Sequence, residues 1–124
     1  ILRMMSLDAV PDLSMRLAHK YGYSEQAVAQ AVPRIQEICA YLEQHLAAQA
    51  GDYFVGDAPG AVDFYWANFA GMLKPLSPAD NPMPDWLRDL YTATDPVLQA
   101  CFTPRLEAHR DMMYQRHIAL PLDF

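Results

Sequence analysis

In the stretch GDAPGAVDFYWANFAGML, residues 56–73, Asp63 is the last carboxylate before Phe64, Tyr65, Trp66 and Phe69. A carboxylate in that position has two chemistries open to it. It can exchange protons as a general acid or base, or it can accept hydrogen bonds from the free amides that begin a helix. With Gly60 as N-cap, Asp63 occupies the third helical position, where it accepts from the cap residue's own amide and complements the positive helix end. Gly60 has no hydroxyl to return the interaction, so only half of a capping box is expected. Acid–base work needs a partner, and no His or Cys lies nearby in the sequence. Structural capping by Gly60 and Asp63 is therefore preferred to a catalytic role.

The other reactive side chains are scattered. His19, His45, His109 and His117 make no HExxH pattern. His109 and His117 could share a helix face, but eight residues of helix rise about 12 Å, too far for both to ligate one ion directly. No metal site is expected. Cys39 and Cys101 form neither a CxxC pair nor a metal-spaced cluster, which fits structural thiols in a reducing compartment and a cytoplasmic chain. The arginines are dispersed among acidic residues, suited to solvation or helix pairing.

The elements that must position these groups read as helices. At 124 residues one hydrophobic core is expected. A net charge of −6 makes nucleic acid a poor partner. No segment is apolar for long enough to suggest a membrane helix, and no signal-peptide order appears at the start. Leu13 and Leu17 lie one turn apart in a short first helix that Gly22 can end. After Ser24, the residues Val28, Ala31, Ile35, Ile38, Leu42 and Leu46 recur every three or four positions, predicting a long amphipathic helix. Pro33 within it implies a kink or the meeting of two helices.

Residues 51–60 read as a loop and 61–73 as a helix apolar around much of its surface, hence central. Four prolines in residues 74–84 make a connection. A short helix follows around Trp86, Leu87, Leu90 and Tyr91. Asp95 before Pro96 and Thr103 before Pro104 each pair an oxygen cap with a proline in the first turn. The last helix is expected from Pro104 to about Ala119, before Pro121. No alternation requires a sheet, so the fold class is all-α, a helical bundle.

The helix ending IQEICAYLEQHLAAQ, followed by YFVGDAPGAVDFYWANFA, resembles the C-terminal helical domain of the glutathione S-transferase family. Val55, Gly56, Asp57, Gly60 and Asp63 match that family's Leu/Val-Gly-Asp run and its Ser/Thr-x-x-Asp cap, with glycine replacing the hydroxyl residue at position 60. The resemblance covers most of the chain and implies a single C-terminal-type domain over residues 1–124, with a thioredoxin-like domain upstream in a longer parent. That upstream domain would bind glutathione as cosubstrate, while this chain alone would bind no cofactor and lack a complete active site. The resemblance also implies that this domain lines a pocket for a small hydrophobic electrophile and contributes to a homodimer. Met4, Met5 and Leu7, together with Met112, Met113 and Tyr114, are the pocket candidates it suggests. Flexible thioethers serve irregular cores equally well. A noncatalytic helical binding or assembly module is the alternative function.

Overall fold

The computed structural model describes residues 11–122. Among the described residues there are six helices and no strand: α1 (Pro11–Lys20), α2 (Glu25–Ala48), α3 (Ala61–Ala70), α4 (Asp85–Tyr91), α5 (Pro96–Cys101) and α6 (Pro104–His117). The all-α expectation holds. The described residues divide into two compact units between Arg34 and Ile35. No described helix is long and apolar enough to cross a membrane.

In the first unit, α1 stops where glycine permits it. Gly22 adopts φ +68°, and the amides of Gly22 and Tyr23 return to the carbonyls of His19 and Ala18 at 3.3 and 2.8 Å. This double bond pattern satisfies the last helical carbonyls in the Schellman manner. Ser24 starts α2 by accepting the Ala27 amide at 3.0 Å. Pro33 lies inside α2, which continues through it as one helix rather than two, and the boundary between the units follows at Arg34. Met4, Met5 and Leu7 fall outside the described residues.

The second unit carries the larger core. Cys39, Leu42 and Leu46 of α2 recur at helical spacing and pack with Phe54, Trp66, Ala70 and Leu106. A second cluster joins Ala67, Leu76, Met113 and Tyr114. Helix α3 packs chiefly against α6, whose inward face carries Leu106, His109, Arg110, Met113 and Tyr114. Burying aliphatic side chains of this kind contributes about 1.5–3 kcal/mol each.

Helix α3 differs from its sequence expectation in length and surroundings. It ends at Ala70, and residues 71–73 form turns whose amides at Met72 and Leu73 reach the carbonyls of Phe69 and Ala70. Only one face is buried, through Asp63, Trp66, Ala67 and Ala70. Tyr65 and Phe69 are 66% and 64% exposed. An apolar composition around the cylinder therefore marks two surfaces with different neighbours, rather than complete enclosure.

Both proline-associated caps form. Asp95 accepts from the Val97 amide at 2.7 Å, and Thr103 accepts from the Leu106 amide at 3.2 Å. The proline-rich connection is anchored by Arg88, which donates to the carbonyls of Leu76 and Asn81 at 2.8 and 2.5 Å. Helix α6 ends at His117, two residues short of the expectation, with the Ile118 amide bonded to Met113.

Candidate functional site

Asp63 sits at the first turn of α3 and is wholly buried. Its Oδ2 accepts the Gly60 amide at 2.8 Å, and its Oδ1 accepts the Phe54 amide at 2.9 Å. The first contact is the expected half capping box; the second binds the preceding loop to the helix start. Gly60 is extended, with φ −109° and ψ 178°, and makes no side-chain cap.

Helix α6 adds a partner that local sequence spacing does not reveal. His109 Nε2 donates to Asp63 Oδ1 across 2.8 Å, and its ring lies 4.3 Å from the Phe54 ring between centroids. Donation from Nε2 is the tautomer that suits a carboxylate acceptor. Burial lowers the His109 pKa despite the opposing pull of Asp63 and Asp52. The imidazole is consequently neutral near pH 7, and its buried Nδ1 has no hydrogen-bond partner among the described residues. Asp63 thus joins the loop, α3 and α6 through three donors. These contacts let the pair position the loop and the two helices.

On the other side of α3 lies an apolar groove of about 850 Å³. Ile38 and Cys39 of α2 form one wall, Val62, Tyr65, Trp66 and Phe69 of α3 another, and Leu90 and Leu98 contribute from α4 and α5. Its lining is almost devoid of polar surface, favouring occupants held by shape and hydrophobic contact. Trp66 is fixed in its wall by an Nε1–H bond to the Leu106 carbonyl at 3.1 Å and by stacking on Phe102. Asp63 therefore supports the groove indirectly by locating the start of the helix that carries its aromatic wall.

Residues 25–109 match the family model described as glutathione S-transferase, C-terminal domain. The chain belongs to this family. Comparison with curated proteins and with solved structures gives no match.

Within this glutathione S-transferase C-terminal domain, the described methionine and tyrosine candidates do not line the large groove. Met113 and Tyr114 are buried in the second core cluster, with Met112 packed partly buried against it. Met112 also borders a smaller cavity with His109 and Arg116, whereas Tyr114 borders a polar surface recess with Arg110 and Ser77. Burial pushes the Tyr114 phenol upward in pKa, with the Arg110 charge acting in the opposite direction. The groove residues were visible in the sequence as the aromatic run of α3 and the Ile38–Leu42 stripe. Their joint exposure was hidden because it depends on how α2, α4 and α5 flank α3.

Arg110 was also unremarkable in sequence but is nearly inaccessible in the fold. It donates to the Lys74 carbonyl and Asp111 carboxylate at 2.6 and 2.8 Å, while its guanidinium lies 5.0 Å from the Phe102 ring centroid. These contacts satisfy a buried cation and fix the carbonyl after α3. No group of three or more potential metal-ligating His, Cys, Asp or Glu side chains occurs among the described residues.

Proposed function

We infer that this domain supplies the electrophile-binding wall of a glutathione transferase-like parent, with the apolar groove on α3 receiving a small hydrophobic molecule. The single observation carrying the reading is the groove's uniformly apolar lining beside exposed Tyr65 and Phe69. Hydrophobic association can place an aromatic electrophile there without providing the chemistry of thiol activation. Glutathione would be bound and activated by the thioredoxin-like domain of the parent. The domain's part is to hold the electrophile and exclude water from one side. Family membership also motivates a homodimeric parent and a cytoplasmic setting, both belonging to this proposal.

The groove reading is tested with 8-anilinonaphthalene-1-sulfonate, whose fluorescence reports transfer to an apolar surface. Saturable binding should quench Trp66 by energy transfer, and Phe69→Asp should weaken binding at least tenfold while preserving the circular-dichroism spectrum. Phe69 is exposed, so this substitution puts charge in the groove without inserting it into the core. Equal affinity of the wild type and folded variant would overturn the assignment. A noncatalytic assembly role predicts a different result in the parent: self-association or protein binding through Tyr65 and Phe69, with no competition by the small aromatic probe.

A further inference from the structure

The imidazole of His109 commits one nitrogen and leaves the other unmatched. Nε2 bonds Asp63 Oδ1 at 2.8 Å, while Nδ1 is buried and meets no hydrogen-bond partner among the described residues. In the tautomer that the carboxylate selects, Nδ1 is a lone pair and can only accept. A buried acceptor without a donor is costly, and a ligand bearing an O–H group would recover that cost. The His109 side chain is 2% exposed, and it borders a cavity of about 380 Å³ between α6 and the loop after α2. Leu46, Ala108 and Met112 supply apolar lining there, whereas Asp52, Arg105 and Arg116 supply polar lining. We propose that this cavity is a second ligand site, one that takes a small neutral phenol whose hydroxyl donates to His109 Nδ1.

The charges around the cavity favour a neutral ligand. Arg105 Nη1 bonds Glu43 Oε1 and Arg116 Nη1 bonds Asp52 Oδ2, each at 2.6 Å, so both cations already have a carboxylate. An anion would be placed beside Glu43 and Asp52 in a chain whose net charge is −6. A cation would face two guanidinium groups. Among neutral hydroxyl compounds, a phenol suits this lining better than an aliphatic alcohol. Its O–H is more acidic and so donates more strongly to an imidazole nitrogen. Its ring suits Met112, because thioethers pack favourably on aromatic rings, and the flat guanidinium groups of Arg105 and Arg116 can lie against a ring face. Met112 lies one turn beyond His109 on α6, and its flexible side chain can yield as the hydroxyl enters.

This site is separate from the apolar groove. No residue that lines the groove borders the cavity. The inference therefore stands without the electrophile reading. A phenol held at Nδ1 also contacts the imidazole that joins α6 to Asp63, so its binding stabilises the folded domain by mass action.

The test is NMR of the full chain, with nitrogen-labelled histidine rings and carbon-labelled methionine methyls, titrated with phenol and in parallel with anisole. Anisole keeps the ring, and its methyl ether removes the donor. Phenol is expected to move His109 Nδ1 upfield, as a lone-pair nitrogen moves on accepting a hydrogen bond, and to shift the Met112 methyl along the same saturation curve. Anisole should bind about tenfold more weakly and leave Nδ1 unmoved. Ala108→Phe, at an exposed position of the cavity wall, should fill the site and abolish the phenol response while preserving the circular-dichroism spectrum. The comparison of phenol with anisole in the wild type remains decisive even if that variant fails to fold. An Nδ1 that stays unmoved across the phenol titration, equal responses to phenol and anisole, or shifts confined to Met72 in the groove would overturn the proposal.

Discussion

Replacing Asp63 by Ala should cost more than removing an exposed helix cap. The carboxylate has no exposure and accepts from the Gly60 amide, Phe54 amide and His109 Nε2. A cap alone contributes about 0.5–2 kcal/mol. Losing a buried charged acceptor and leaving its donors unsatisfied raises the expected cost to about 3–5 kcal/mol. Asp63→Asn should fall between wild type and Ala, at about 1–3 kcal/mol. Its one oxygen can retain either the Gly60 side of the network or the Phe54 and His109 side. The amide nitrogen then faces at least one backbone N–H. Urea titrations followed by circular dichroism, with a common transition slope, measure these differences. Equal stability of wild type and Asp63→Ala would refute the buried-acceptor argument, and equality of wild type and Asp63→Asn would refute the need for both carboxylate oxygens.

The lowered His109 pKa predicts a sign for pH dependence. Its stabilising contribution is complete above the unfolded value near 6.5, declines as pH falls toward the lower native value, and is flat below it. His109→Gln should remove that component, measured by denaturation across the same pH series. Gly60→Ser should stabilise the domain by a few tenths of a kcal/mol by restoring a hydroxyl cap, since an added Cβ meets Asp63 Oδ2 at an ordinary 3.5 Å; thermal denaturation provides the comparison. Leu106→Ala should destabilise by about 2–5 kcal/mol because Leu106 has no exposure and links α6 to the larger core. A urea titration tests that cavity cost.

The helix sequence and its principal caps were legible because they arise from short-range spacing. Ser24, Asp95 and Thr103 each precede the helix they cap, and Gly22 permits the left-handed turn after α1. Asp63 was likewise identifiable through its three-residue offset from Gly60. Its link to His109 was not, since it joins positions 46 apart only after α3 and α6 pack. Periodicity identified the apolar material on α3 but could not divide it between a buried face and a groove wall. That division follows from the neighbouring helices, which leave Tyr65 and Phe69 outside the core while enclosing Trp66 and Ala67.

The most direct test of the groove account is methyl NMR of the full chain during titration with naphthalene, an uncharged aromatic probe without a reactive leaving group. The account predicts saturable shifts concentrated at Ile38, Val62, Leu90 and Leu98, which border the groove, with little change at core Leu106. No saturable shift at those four methyl-bearing residues, or a response centred instead on Leu106 and Met113, would contradict it.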